Sequence, residues 1–297
     1  MKFPGRRTAA ARAAADVSPA PPESATTPRG DLRIEGLSVG LERPGPSGSG
    51  RLSGLLPVLE DVSLTVPAGR TAALLGASGA GKSMTACAVL RLFPVPARIT
   101  AGRILLDDTD LTALSEREMT AVRGRRVAMI FQEPGAALDP LMTAGDQVME
   151  GIVAHLGRRG ARDRAVEALG RVGLDPTFFR RYPHELSGGQ RQRVLIAGAI
   201  APGPNLLIAD EPTAALDVTV QAQILDLLGR LQRDLGMALL LITHDLGVVA
   251  QTAELVHVMR GGRIVESAET RALFASPQHP YTQTIVTQAR RLGHWAE

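Results

Sequence analysis

Cysteine is almost absent from these 297 residues: Cys87 stands alone. No internal disulfide can form and no cysteine-ligated metal cluster can be built, which fits a reducing compartment. Aromatics are scarce at 3%. No Phe, Tyr or Trp occurs between Phe3 and Phe93. Lysine is scarcer still, with only Lys2 and Lys82 in a chain whose other basic positions are arginine. No run approaches the roughly 18 apolar residues of a membrane span. The apolar segment of a secretory signal is also missing from the Ala- and Arg-rich start. Net charge is only +3, and Arg6, Arg7, Arg12 and Arg29 supply part of the basic excess. No basic stripe interleaves with aromatics, so the balance gives no support to nucleic-acid binding.

What remains is 44% hydrophobic, enough to bury a large core. Residues 1–30 are Ala-, Pro- and Ser-rich without periodicity and read as a disordered leader. Residues 31–39 and 58–66 read as strands, separated by a Gly/Pro/Ser loop over 42–53. Residues 71–75 form a short apolar run, hence a buried strand. Residues 82–92 read as a helix stopped by Pro94. Further strands are expected at 102–107, 127–131, 206–209, 237–243, 255–259 and 263–266. Residues 133–190 are helical in pattern, including 161–172, and another helix is expected at 220–234. Strands alternating with helices argue for an α/β fold with a largely parallel sheet. A helical subdomain is inserted at about 133–190, and 277–297 form a short tail.

Gly76-Ala77-Ser78-Gly79-Ala80-Gly81-Lys82-Ser83 follows a buried strand and opens a helix. That is the phosphate-loop pattern: glycines let backbone N–H groups converge on phosphate oxygens at a helix N-terminus. Lys82 would reach the β- and γ-phosphates, and Ser83 would ligate Mg²⁺. The apolar run 206–209 ends in Asp210 and Glu211. Asp210 suits the Mg²⁺ shell, and Glu211 is placed to polarise an attacking water.

Leu186-Ser187-Gly188-Gly189-Gln190 narrows the choice, because this string resembles the signature of ABC ATPases. Gln132, Ala215-Leu216-Asp217 and His244 stand in the order that family uses, over roughly residues 31 to 281. The resemblance implies an ABC cassette: a parallel-sheet core, a small antiparallel β subdomain and the helical insertion. It implies ATP and Mg²⁺ as cofactors, with Gln132 at the metal or water and His244 at the γ-phosphate. Ser187, Gly189 and Gln190 would bind ATP held by a second ATPase subunit in a head-to-tail dimer, with Asp217 at the interface. His155, His184, His257, His279 and His294 have no such context and read as surface or packing residues.

Other stretches are similar to the oligopeptide, dipeptide and nickel importers, among them Phe131-Gln132-Glu133-Pro134, Tyr182-Pro183-His184-Glu185 and His279-Pro280-Tyr281-Thr282. That likeness implies a different partner ATPase, two transmembrane permeases and, indirectly, an extracytoplasmic binding protein. The chain would sit peripherally on the cytoplasmic face of the inner membrane. The short, cysteine-free C-terminus and residues 93–102 lean towards nickel or another metal chelate over di- and oligopeptides. Two rivals have other uses for a phosphate loop: a small-molecule kinase and an ABC ATPase of a non-transport complex. The kinase has no use for residues 186–190.

Overall fold

The computed structural model describes residues 29–44, 52–93, 96–132, 137–214 and 216–291. The expected leader over 1–28 lies outside the described residues, as does the centre of the 42–53 loop.

Two sheets carry the fold. The smaller is antiparallel, with β1 (Leu32–Pro44), β2 (Leu52–Val66), β4 (Ala97–Leu106) and β5 (Thr109–Asp110) in the order β2-β1-β4-β5. Leu32 and Ile34 are buried two apart, but the next buried pair is Leu37 and Val39. The odd step falls on a bulge between Ile34 and Leu37, where Gly36 takes φ +59°. An extra residue there turns both pairs to the same face. Gly102 on β4 packs against this bulge so closely that a Cβ would come within 2.4 Å of the Gly36 carbonyl oxygen.

The larger sheet has the order β10-β9-β3-β8-β7-β6. Its parallel strands are β3 (Thr71–Leu75), β6 (Val127–Ile130), β7 (Leu206–Asp210), β8 (Ala238–Thr243) and β9 (Leu255–Arg260). Strands β3, β7 and β8 are buried along their whole length. That is why they read as unbroken apolar runs, since helices cover both faces of such a sheet. Antiparallel β10 (Arg263–Glu269) closes one edge.

Helices α1 (Lys82–Leu90) and α2 (Glu116–Val122) precede β6. Between β6 and β7 the chain is helical: α3 (Ala144–Leu156), α4 (Ala161–Arg171) and α5 (Gly188–Ile200), with 3-10 turns at Pro176–Arg180 and Pro183–Glu185. Val148, Ile152, Leu169 and Phe179 close a core between them. Helix α6 (Val218–Leu235) joins β7 to β8, and α7 (Leu246–Thr252) joins β8 to β9. The chain then forms α8 (Thr270–Ala275) and α9 (Pro280–Arg291). None of the described helices is long and apolar enough to cross a membrane.

Several expected bounds move. Strands β1 and β2 run further into the 42–53 segment, because Leu41 pairs with Leu56 and Glu42 with Leu55. Strand β4 starts at Ala97 rather than 102, paired with Leu41. Helix α1 stops at Leu90, where Arg91 turns left-handed at φ 51°. Helix α2 was legible but not anticipated: Ser115 and Glu118 form a reciprocal capping box.

Candidate functional site

Four adjacent parallel strands end at one rim. β3 runs into Gly76, β8 into His244, β7 into Glu211 and β6 towards Gln132. Ligands of open parallel sheets bind beyond the carboxyl ends of the strands, at the crevice where strand order reverses.

The Gly76–Ser83 loop closes on itself through Ala80 N–H to the Ala77 carbonyl, 3.2 Å. Gly79 and Gly81 take φ +76° and +109°, which other residues adopt only under strain. Helix α1 begins at Lys82 with no side chain capping it. Its first amides therefore stay free for an anion. Lys82 is 5% exposed and donates from Nζ to the carbonyls of Gly76 (2.8 Å) and Ala77 (3.0 Å). Burial pushes its pKa down, against the opposing pull of Glu211 and Asp210.

Glu211 gathers the rest of the rim. It stands at φ 45°, held by a bond from its N–H to the Ile242 carbonyl, 2.9 Å. Gln132 Nε2 donates to its Oε2 at 3.1 Å, and His244 Nδ1 lies 3.1 Å from its Oε1. Lys82 Nζ is 4.0 Å from the same Oε1. The Glu211 side chain is 15% exposed, whereas that of His244 is 66% exposed. One partly buried carboxylate thus stands among three of the predicted residues, Gln132, His244 and the phosphate-loop Lys82.

Asp210 lies deeper. Burial pushes its carboxyl pKa up, partly offset by a hydrogen bond with Ser83. Its Oδ1 is buried without a hydrogen-bond partner. Such an orphaned oxygen is costly unless something fills the position. A cation between Asp210 and Ser83 fits this donor set. Among the described residues no group of three or more His, Cys, Asp or Glu could hold a metal. Mg²⁺ needs no such cage, because it is commonly bound by one or two carboxylates plus substrate phosphates.

The signature residues lie elsewhere. Ser187 and Gln190 form a capping box at the start of α5, with Ser187 N–H donating to Gln190 Oε1 at 2.9 Å. Gly189 faces α6, where a Cβ would approach Val220 Cγ1 to 2.7 Å. Asp217 caps α6 by accepting from Val220 N–H at 3.0 Å. Among the described residues no hydrogen bond or ion pair joins Ser187, Gly189, Gln190 or Asp217 to Gly76–Ser83, Glu211 or His244. The structure therefore brings Gln132, Lys82, Asp210, Glu211 and His244 together and leaves the signature outside.

A cavity of about 410 Å³ lies beside Gly76, with Gln132, Glu211 and His244 as its polar wall. Its apolar wall is Leu246, Tyr281 and Ile285, none of which sequence reasoning assigned to the site. The importer-like strings 243–250 and 279–282 contain Leu246 and Tyr281 but carry no role for either, and Ile285 lies in neither. Of the remaining histidines, His257 is buried between Thr65 and Ser267, while His279 accepts from Tyr281 N–H. His294 lies outside the described residues.

Comparisons with known proteins identify the family and the fold. The family model described as ABC transporter matches residues 59–214. An ATP-binding protein of Brucella melitensis named for peptide import is 49% identical over 250 residues, covering 80% of this chain and 74% of the relative. The dipeptide transport ATP-binding protein DppD of Bacillus subtilis is 45% identical over 244 residues, covering 80% and 73%. Among solved structures, the dimeric post-hydrolysis ATP-binding cassette MJ0796, bound to ADP and Pi, superposes with a TM-score of 0.69 at 27% identity. That match covers 81% of this chain and 99% of that one. With the phosphate loop, the acidic strand end and the signature in family order on a matching fold, this chain belongs to the ABC transporter family of ATP-binding cassettes.

Proposed function

We propose that this chain is the ATP-hydrolysing subunit of an importer of di- or oligopeptides. The observation that carries the hydrolytic part is the Glu211 carboxylate, held by Gln132 and His244 beside the phosphate loop. Glu211 polarises the attacking water, and His244 keeps its Oε1 oriented towards the γ-phosphate. Lys82 and the free amides of α1 bind the phosphates. Ser83, Asp210 and Gln132 are the residues that would hold Mg²⁺. Bound there, the ion would offset the phosphate charge.

Ser187, Gly189 and Gln190 complete the site of a second ATPase subunit, with Asp217 at the shared boundary. Two permeases and, through them, an extracytoplasmic binding protein make up the rest of the proposed assembly. The chain sits peripherally at the cytoplasmic face of the inner membrane. Residues 31–276 serve as the cassette, with about 133–190 as its helical subdomain. The peptide cargo is taken from the names of the relatives and replaces the lean towards nickel in the sequence reading.

The test is to isolate the complex through a tagged full-length chain and identify by mass spectrometry what its binding protein retains. Short peptides, and ATP turnover that rises when they are added, are the expected result. A retained nickel chelate would overturn the cargo. Transfer of phosphate to an acceptor without transport would overturn the importer reading altogether.

A further inference from the structure

The carboxyl-terminal helix reaches the cavity beside the phosphate loop. Tyr281 and Ile285 of α9 form its apolar wall together with Leu246 of α7, opposite Gln132, Glu211 and His244. Four residues apart, they share one face of the helix. That face packs against the core that holds Leu75, Val249 and Val258.

The β9–β10 hairpin fixes Tyr281 in place. Glu266 on β10 accepts from the N–H groups of Gln278 and His279, both at 2.9 Å, just ahead of α9. Arg260, at the end of β9, lays its guanidinium over the Tyr281 ring, 5.0 Å from the centroid. Such a cation–π contact orients a ring as well as attracting it. The turn of the same hairpin is tied to the phosphate loop by Gly262 N–H to the Ala80 carbonyl, 2.9 Å. The Met259 carbonyl oxygen also abuts Gly76, where a Cβ would come within 2.4 Å of it. One short element thus sets Tyr281 and the phosphate loop at a fixed distance from each other.

The polar wall has less support. Among the described residues, the His244 side chain makes a single hydrogen bond, that to Glu211. A largely exposed imidazole on one bond can turn unless its surroundings restrict it. The apolar side chains that line the same cavity are the groups placed to limit that freedom.

We propose that Tyr281 is a positioning residue for ATP hydrolysis, acting through His244 and Glu211, with Arg260 as its clamp. This rests on the reading of Glu211 given under Proposed function. The test compares kcat, KM and fluorescent-ATP affinity for the full chain in its purified complex. Tyr281→Ala should lower kcat by roughly tenfold while KM and affinity stay within about twofold, the pattern of an interaction used only in the transition state. Tyr281→Phe keeps the ring and should recover most of that loss. An unchanged kcat for Tyr281→Ala overturns the proposal. So does a fall in kcat matched by an equal loss of affinity and not rescued by Phe. Should Tyr281→Ala fail to fold, Arg260→Gln removes only the exposed clamp: a kcat lowered several-fold at constant affinity supports the proposal, and an unchanged kcat overturns it. Glu211→Gln separates the two readings. Wild-type turnover in that variant overturns the site assignment itself, whereas a dead Glu211→Gln beside a normal Tyr281→Ala overturns only the role of Tyr281.

Discussion

Lys82 is held in place by its own loop. Its ammonium sits between two loop carbonyls, in a space set by Gly76 and Ala77. Arginine carries the same charge on a planar fork that cannot enter a cradle shaped for a compact donor. Lys82→Arg should therefore weaken ATP binding by roughly 10- to 100-fold, the worth of about one charge-assisted bond. Equilibrium titration with a fluorescent ATP analogue checks this, and wild-type affinity would refute it. Lys82 was legible because it is the single lysine in the folded part of an arginine-rich chain. The posture of Glu211 was not. Its positive φ depends on a bond to Ile242, a residue 31 positions away on the neighbouring strand. Leu41 raises a related question about the base. The resemblance to ABC ATPases implies an adenine stacked on an aromatic near the first strand, a position that alignment on Leu37-Ser38-Val39 assigns to Leu41. It pairs with Leu56 and Ala97 on either side, so no aromatic is supplied by its strand partners. Leu41→Tyr should tighten ATP binding several-fold, since base–aromatic stacking is worth roughly 1–3 kcal/mol. A wild type that already prefers ATP strongly over GTP, unchanged by Leu41→Tyr, would show that another group holds the base.

Among elements, the strands of the large sheet were the easiest to read. Runs such as 71–75 and 206–209 are buried along their whole length, and their shortness with glycine or proline close by favours a strand over a buried helix segment. The small sheet hid its ends because Gly36 and Gly102 break the alternation, and the outer parts of β2 and β4 are exposed. Helix α9 was seen only as a tail. Its polar sequence buries just Thr282, Val286 and Ala289, too thin a stripe to stand out. The two sheets meet at His257, whose Nε2 faces the Thr65 carbonyl (2.8 Å) on β2 while Nδ1 faces Ser267 Oγ (2.8 Å) on β10. Burial pushes its pKa below the ordinary 6.5, partly opposed by the Thr65 bond. The unfolded chain therefore binds the proton more readily than the folded one. Between the depressed value and 6.5 the unfolded state carries more protons, so stability rises with pH. The contribution is complete above 6.5 and is lost as pH falls through the folded value. Thermal melting from about pH 7 down to about pH 5 should show a falling midpoint, and His257→Gln should flatten that slope. Equal slopes in both proteins would exclude His257 as the source.

At the scale of the whole molecule the site is incomplete. One chain assembles the phosphate loop, Asp210, Glu211, His244 and Gln132, yet Ser187 and Gln190 bond to each other in the cap of α5, Gly189 packs on Val220, and none of the three is bonded to that cluster. A helix N-terminus with free backbone donors suits the γ-phosphate of a nucleotide held by another subunit. The solved cassette MJ0796 is described as dimeric with ADP and Pi bound. The same arrangement here would make ATP the bridge between two subunits, and departure of the cleaved phosphate the release. Glu211→Gln preserves the shape of the side chain and removes the basic oxygen that polarises water. It should keep ATP affinity within about twofold and lower turnover by at least roughly 100-fold, in the range of losing a general base. The bridged dimer should then accumulate with ATP, whereas the wild type returns to monomer. Size-exclusion chromatography with light scattering reads both states. Adding Lys82→Arg to Glu211→Gln should abolish the dimer, because the bridging phosphate is no longer held. A Glu211→Gln chain that stays monomeric in ATP despite intact binding would refute the bridge. One that turns over ATP at the wild-type rate would transfer the role of base to His244.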